Sequence, residues 1–355
     1  RAMHVTNLFP SMAIAFIATT ALIMALRPVA PKIGLVDHPA GRKFHQGIVP
    51  VVGGLAMFPA LYFGLLVMHV PPNILVGVFA ASLLLVIVGV IDDKHALSAV
   101  ARIPAQIAAV LLMVYGAGLV MTDMGNPFGM GVIETGRFSL LFTMLVTIAT
   151  INAFNFIDGL DGLSASLALI AVLSIAVVAG FANMYAGAAL TVAAVILGYL
   201  VFNFPTSRNR SIRTFMGDTG STLLGFSVVW IMIGVCQGAD RVISPVHCLW
   251  FAALPIFDFF TCFVQRGLRG KSPFKPGHDH VHHILKRGGF TMRRRLSILA
   301  GIQIAYSSVG IAGHFSGVPD VVMFAAWSVL GFSQAWIIRF IAKHNRLRGR
   351  RATAA

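Results

Sequence analysis

Long apolar segments dominate this 355-residue sequence and restrict it to a helical membrane fold. A helix needs about 20 apolar residues to cross a hydrocarbon core of ~30 Å, and a nearly uncharged window of that size occurs eleven times. We place these windows at 8–26, 51–70, 73–91, 103–121, 138–156, 163–181, 185–203, 222–238, 244–264, 297–313 and 321–339. Apolar residues make up 57% of the chain and charged residues 11%, a balance outside the range of soluble domains. The sequence therefore predicts an all-α, polytopic integral membrane protein with about 11 transmembrane helices.

Basic residues indicate how these helices are oriented. An odd number of spans puts the two termini on opposite sides of the membrane. With a cytoplasmic carboxyl terminus, only Arg1, Arg137 and Arg241 of the 27 Lys and Arg residues fall outside, as the positive-inside tendency favours. We therefore predict an outer, periplasmic amino terminus. The net charge of +15 belongs to the inner loops, so no nucleic-acid partner is expected.

The segments between the windows indicate one domain. We find no internal repeat, no second soluble domain, and no basic region before the first apolar window that would mark a signal peptide. The three cysteines lie in or beside apolar segments and are expected to be small core residues. Residues 1–355 are thus predicted to form a single transmembrane domain with functional cytoplasmic loops at 27–50, 92–102, 152–162, 204–221 and 265–296.

Acidic residues are rare and fall mostly on the cytoplasmic side. The chain has twelve Asp and Glu residues, and the orientation chosen from the cations leaves four of them outside. The eight inner acids are Asp37, Asp92, Asp93, Asp158, Asp161, Asp218, Asp258 and Asp279. Acids in or next to a bilayer are costly and usually face protein, water or a cation, so each is a candidate functional residue.

Three short motifs contain most of these acids. Asp92 and Asp93 close the third window, where the helix dipole repels carboxylates, so a metal ion or a metal-bound polyphosphate is favoured over simple helix capping. The run 152–162 sets two amides on one helical face and follows them with two Asp-Gly pairs; capping of the sixth helix would explain only one of its acids. The glycines around Asp218 suit a loop that meets phosphate at a helix amino end and places its carboxylate on a hard cation.

Four histidines lie within six residues of the last inner loop, at positions 278–283. Imidazole suits zinc or nickel, which makes a transition-metal site one hypothesis. Phosphate contacts are the favoured alternative, because no cysteine is expected nearby and other cations share the loop.

The ordered motifs resemble those of the polyprenyl-phosphate N-acetylhexosamine-1-phosphate transferase family, over nearly the whole chain. The segments that carry the resemblance are 37–54, Asp92-Asp93, 152–162, 216–218, 254–258 and 280–283. The Arg-Lys-x-His opening of the first motif and the Ser-Pro-Phe before the histidines are similar to the branch that uses N-acetylglucosamine.

The resemblance implies a reaction and its partners. Such an enzyme transfers a sugar-1-phosphate, here N-acetylglucosamine-1-phosphate, from a UDP-sugar to undecaprenyl phosphate and releases UMP. This is the first membrane step of a bacterial cell-surface polysaccharide pathway, such as lipopolysaccharide or cell wall synthesis. It implies a Mg²⁺ cofactor, for which Mn²⁺ could substitute, and a bacterial plasma-membrane location with the active site on the cytoplasmic face. The oligomeric state stays open.

The resemblance also implies roles for individual residues. Those expected to act in catalysis are Asp92, Asp93, Asp158, Asp161 and His282. Those expected to bind the substrates are Asp37, Arg42, Lys43, His45, Asn152, Asn155, Phe215, Arg269, His280 and His283. The expected metal ligands are Asp218 and Asn155.

Two further function classes and one further mechanism remain as alternatives. An ion-coupled transporter also uses intramembrane acids, but these should lie near the midplane. A membrane prenyltransferase that uses Asp and Mg²⁺ would leave the Asp218 and histidine motifs unexplained. Within the transferase hypothesis, direct attack by the lipid phosphate is favoured over a covalent aspartyl-phosphate intermediate, with Asp92 or Asp93 orienting the acceptor.

Overall fold

The chain folds into a bundle of helices. The computed structural model describes residues 7–37, 47–206, 211–239, 241–270 and 280–352. The helices in these ranges are α1 Leu8–Leu26, α2 Gly53–Val67, α3 Pro72–His95, α4 Ala99–Ala117, α5 Ser139–Ile157, α6 Leu163–Ala179, α7 Met184–Asn203, α8 Gly217–Cys236, α9 Pro245–Cys248, α10 Ala253–Leu268, α11 Val281–Arg287, α12 Met292–Phe315 and α13 Asp320–Ala352. A short antiparallel hairpin joins β1, Val36–Asp37, to β2, Val49–Pro50. The fold is mostly helical, as predicted.

Nine helical segments in the described ranges are long and apolar enough to cross a membrane. The helices at the second and sixth predicted windows are apolar but shorter: α2 has 15 residues and α6 has 17. The ninth window is filled by α9, a 3-10 turn at Leu249–Ala252 and α10, which together span Pro245–Leu268. Each of the eleven windows therefore contains helix, while the number of helices that cross the bilayer stays a prediction.

Several helix ends differ from the sequence-based limits. Helix α3 continues to His95, so Asp92 and Asp93 lie in its last turn, and α8 begins at Gly217, where a loop was expected. The reason is the same for both: Asp93 binds the first amides of α8, which stabilises the two ends together. The hairpin and the short helix α11 were not predicted.

Helix α8 forms the centre of the bundle. It is buried over almost its entire length and packs against α2, α3 and α5. Its first turn lies very close to two neighbours, because a side chain at Gly54 would collide with the backbone of Gly220, and one at Gly89 would lie 2.5 Å from the Cα of Thr219. The position of this first turn is therefore fixed by backbone-to-backbone packing.

Polar contacts gather at the two opposite ends of the bundle. The end of α3 and the starts of α4 and α8 meet at one end, where most of the predicted functional acids lie. At the other end, Asp123 pairs with Arg241 and the start of α13, Asp320, bonds Ser244. This separation agrees with the expected division of the acids between two faces. Which end faces the cytoplasm stays a prediction.

Candidate active site

Asp93 joins the end of α3 to the start of α8. One carboxylate oxygen accepts from the backbone N–H of Asp218 at 2.6 Å, and the other accepts from the backbone N–H of Thr219 at 3.3 Å and from its hydroxyl at 2.6 Å. A carboxylate at this position is stabilised by the helix dipole. The amides that the sequence assigned to phosphate are therefore bound by the protein's own carboxylate. Gly217, with φ +71, lies against this carboxylate, and a side chain there would displace it.

Arg102, on the first turns of α4, connects the other acids. Its Nη1 lies 2.8 Å from Asp92, 2.8 Å from Asp218 and 3.2 Å from the amide oxygen of Asn155. Asp92 is 3% exposed and also accepts from the backbone N–H of Leu97 at 2.7 Å. The predicted conflict between adjacent acids and a helix carboxyl end is thus relieved by a guanidinium and a neighbouring helix, without a metal ion being required for it.

Arg102 was not among the residues predicted to act in catalysis or binding. A signal was present, because a charged residue near the end of an apolar membrane helix is itself a functional candidate. The positive-inside count treated this arginine only as a marker of orientation.

The two amides of the run 152–162, Asn152 and Asn155, have different surroundings. Asn155 donates to Asp218 at 2.5 Å and to the hydroxyl of Ser221 at 2.9 Å, so it belongs to the acid cluster. Asn152 donates to Gln106 at 2.9 Å and ties α5 to α4. The expected common face therefore splits, and only Asn155 among these two amides contacts the cluster.

Asp158 and Asp161 lie in the turn between α5 and α6. Burial and nearby carboxylates raise the pKa of Asp158 well above its usual range. The carboxylates responsible are those of Asp218, Asp161 and Asp93. Neighbouring carboxylates of this kind favour a nearby cation. Helix α6 begins after Gly162 without a side-chain cap, so the capping hypothesis for these acids is not supported.

Phe215 lies beside this turn, in the segment before α8. Arg213 forms an ion pair with Asp161, and its guanidinium stacks 4.9 Å from the centre of the Phe215 ring. Backbone bonds from Phe215 to Pro50 and from Gly53 to Phe215 attach the segment to the β hairpin. The hairpin also contains Asp37, in β1. The segment 37–54 therefore lies next to the segment that precedes α8.

The histidine motif forms a second cluster around the end of α10. The Nδ1–H of His280 donates to Asp258 at 2.8 Å, and the other oxygen of Asp258 accepts from the first amide of α11 at 2.9 Å. Arg266 lies 3.4 Å from His280 Nε2 and the thiol of Cys262 lies 3.5 Å from Nδ1. The expectation that no cysteine is near the histidines is therefore wrong in three dimensions.

Asp258, Cys262 and His280 are buried and bring one potential ligand atom each within 4.8 Å of one another. Their polar atoms nevertheless satisfy one another, and the neighbouring Arg266 disfavours an added cation. This network indicates that Asp258 fixes the start of α11 and thereby the histidines that follow. All three cysteines are buried, as expected.

The two clusters meet at Gly159. A side chain there would collide with the ring of His282, so this histidine lies directly on the turn that contains Asp158 and Asp161. The ring of His283 packs against that of His282, with ring centres 4.2 Å apart and the ring planes tilted by 42°. The structure therefore brings the histidine motif next to the acid cluster.

The remaining predicted residues are Arg269 and three residues of the segment 37–54. Arg269 is exposed at the end of α10. Arg42, Lys43 and His45 lie outside the described residues, as do Asp279 and His278.

The acid cluster fits a hard divalent cation. Carboxylate oxygens of Asp218 and Asp92 and the amide oxygen of Asn155 converge from three helices, and oxygen ligands of this kind are those that Mg²⁺ prefers.

Comparison with known proteins identifies the family of the chain. Residues 75–235 match the model of glycosyl transferase family 4. Three relatives share the name undecaprenyl-phosphate alpha-N-acetylglucosaminyl 1-phosphate transferase. The protein from Escherichia coli (strain K12) is 33% identical over 343 residues, 93% of each chain. The protein from Salmonella typhi is 35% identical over the same length and coverage. The protein from Pasteurella multocida (strain Pm70) is 35% identical over 351 residues, 95% of this chain and 97% of the relative. These matches confirm the resemblance found in the motifs, and the chain belongs to glycosyl transferase family 4.

Proposed function

We propose that the chain transfers N-acetylglucosamine-1-phosphate from UDP-N-acetylglucosamine to undecaprenyl phosphate, releasing UMP, at the cytoplasmic face of a bacterial plasma membrane. The names of its relatives support the acceptor and the transferred group. The observation that carries the proposal is the meeting of Asp92, Asp218, Asn155 and Arg102 at one end of the bundle. A transporter is disfavoured because these groups lie at helix ends rather than at mid-membrane.

The chemistry requires two phosphate-bearing anions to approach each other. An oxygen of the lipid phosphate forms a bond to the β-phosphorus of the nucleotide sugar, and the bond from that phosphorus to the bridging oxygen breaks, so that UMP leaves with the electron pair. Such transfers depend mainly on positioning and on neutralisation of charge. A magnesium ion held by Asp218 and Asn155 would supply part of that neutralisation.

Neither Asp92 nor Asp93 is well placed to act as a nucleophile. Asp92 pairs with Arg102, and both oxygens of Asp93 accept hydrogen bonds from α8. The lipid phosphate has a second pKa of about 6 and is mostly dianionic at neutral pH, so it needs little help from a base. These features support direct attack, with the two aspartates setting the geometry and charge of the site.

The nucleotide is proposed to lie between Phe215 and the histidine motif. Phe215 offers a ring for uracil, although Arg213 already stacks on it, so the base would use the opposite face or displace the guanidinium. His282 and His283 would then face the phosphates, because His282 lies against the turn at Gly159. His280, whose ring nitrogens contact Asp258 and Arg266, would hold the start of α11 in place. Arg42 and Lys43 are proposed to add phosphate contacts.

One assay tests the proposal. Purified chain in detergent is incubated with Mg²⁺, undecaprenyl phosphate and a panel of UDP-sugars, and UMP release is measured. We expect release with UDP-N-acetylglucosamine, and none when the lipid phosphate is omitted. Release with another UDP-sugar instead would correct the sugar. No release with any sugar would contradict the transferase and favour the transporter.

A further inference from the structure

A single nitrogen of Arg102 lies where the oxygens of the acid cluster converge. Nη1 is 2.8 Å from Oδ2 of Asp92, 2.8 Å from Oδ1 of Asp218 and 3.2 Å from Oδ1 of Asn155. These oxygens come from α3, α8 and α5, and Arg102 is on α4, so four separate helices meet at this atom. The side chain of Arg102 is 13% exposed and that of Asp92 is 3% exposed.

The contacts leave both the oxygens and the guanidinium incompletely satisfied. Nη1 donates hydrogen bonds to Asp218 and Asn155, while its contact with Oδ2 of Asp92 is an ion pair that leaves this buried oxygen without a hydrogen-bond partner among the described residues. The Nε of Arg102 is likewise buried and has no hydrogen-bond partner within the described part of the chain, although a guanidinium has five N–H groups in all. Arginine usually binds a carboxylate through two parallel hydrogen bonds. Here a single nitrogen contacts one oxygen from each of three residues.

We infer that Arg102 is an internal counter-cation, which occupies the place of the divalent ion and must withdraw from Asp218 when that ion binds. The inference rests on the proposed Mg²⁺ requirement and adds a positioning residue to it. While the ion is absent, the guanidinium holds Asp92 and Asp218 together against their mutual repulsion. Once displaced, it is a free cation beside the place where the diphosphate is proposed to lie. Arg102 therefore lowers the affinity of the metal site and stabilises the metal-free protein.

The sign of one measured change tests this inference. Mn²⁺ binding to the purified full chain, without substrates, is followed by the electron paramagnetic resonance signal of the free ion. If the guanidinium occupies the site about 90% of the time, Arg102→Gln should bind Mn²⁺ about tenfold more tightly, because a competing state has been removed. An arginine that only scaffolds the cluster predicts weaker binding in the same variant.

Arg213→Gln is the matched control. It removes a similar charge from the same end of the bundle, but Arg213 pairs with Asp161 rather than with Asp218. We expect its Mn²⁺ affinity to change by less than about twofold, since a longer-range charge is partly screened. Equal tightening in both variants would show a general charge effect and would overturn the inference.

A second readout covers variants that fold poorly. The metal-free Arg102→Gln protein should unfold at a lower temperature than the wild type, and Mn²⁺ should restore more of its stability than it adds to the wild type. If Arg102→Gln cannot be purified, Arg102→Lys retains a single charged nitrogen and should bind Mn²⁺ within about threefold of the wild type; a tenfold gain or loss there would refute the inference. Unchanged or weaker binding in Arg102→Gln, or no Mn²⁺ binding in either protein, would also refute it. Failure of the UMP assay would contradict the proposed reaction and leave these binding results unaffected.

Discussion

The contact between Asp93 and α8 makes a quantitative prediction for Asp93→Ala. The substitution removes the cap of α8, which typically costs about 1 kcal/mol. It also leaves the hydroxyl of Thr219, a residue only 2% exposed, without the acceptor it has at 2.6 Å, which costs about 1–3 kcal/mol. We therefore expect a loss of about 3 kcal/mol in the free energy of unfolding. The midpoint of thermal unfolding should fall by roughly 5 °C or more.

Thermal unfolding in detergent and UMP release are measured on the same preparations. Thr219→Val is the matched partner, because it removes the hydroxyl and keeps the carboxylate. If the two side chains stabilise the protein through their mutual contact, the double variant should lose about 0.5–1.5 kcal/mol less than the two single losses added together. An Asp93→Ala protein that unfolds at the wild-type temperature and yet releases no UMP would refute the argument. Asp93 would then act in the chemistry rather than in holding α8.

Three further predictions concern the site and its orientation. Asp218→Asn should abolish UMP release while the protein still inserts and folds; near-normal activity in Mg²⁺ would show that the metal assignment is wrong. His282→Ala should raise the KM for the UDP-sugar more than the KM for the lipid phosphate, and steady-state kinetics showing an unchanged nucleotide KM would count against it. A cysteine at Met130, 82% exposed, should react with an impermeant maleimide added to intact cells, and one at Leu268, 84% exposed, should not; the three native cysteines are buried. The reverse labelling would overturn the predicted orientation.

The positions of the helices could be predicted from the sequence because they depend on local composition. Each apolar window contains helix, and the acids at helix ends were identified from their cost in a membrane. The same reasoning grouped Asp92, Asp158, Asp161 and Asp218 before any contact was known, and the structure places them at one end of the bundle. Hydropathy and the distribution of charged residues therefore located the region of the candidate site.

The partners of these acids could not be predicted, because they depend on which helices are neighbours. Asn152 and Asn155 lie one turn apart on α5, yet the first faces Gln106 on α4 and the second faces Asp218 on α8. Cys262 and His280 are separated by 18 residues and meet because the start of α11 lies against α10. Contacts of this kind are set by tertiary packing, for which hydropathy contains no signal.

The location of the proposed metal-binding groups follows from how closely the helices pack. Small residues at Gly54 and Gly89 allow α2 and α3 to approach the first turn of the buried helix α8. That approach brings Asp93 within hydrogen-bond distance of the amides of Asp218 and Thr219. Helix packing and the carboxylate of Asp93 hold the backbone of Asp218 in place. The side chain of Asp218 contacts Arg102 and Asn155. Such packing fixes the positions of the oxygens, as the proposed replacement of the Arg102 guanidinium by a metal ion requires.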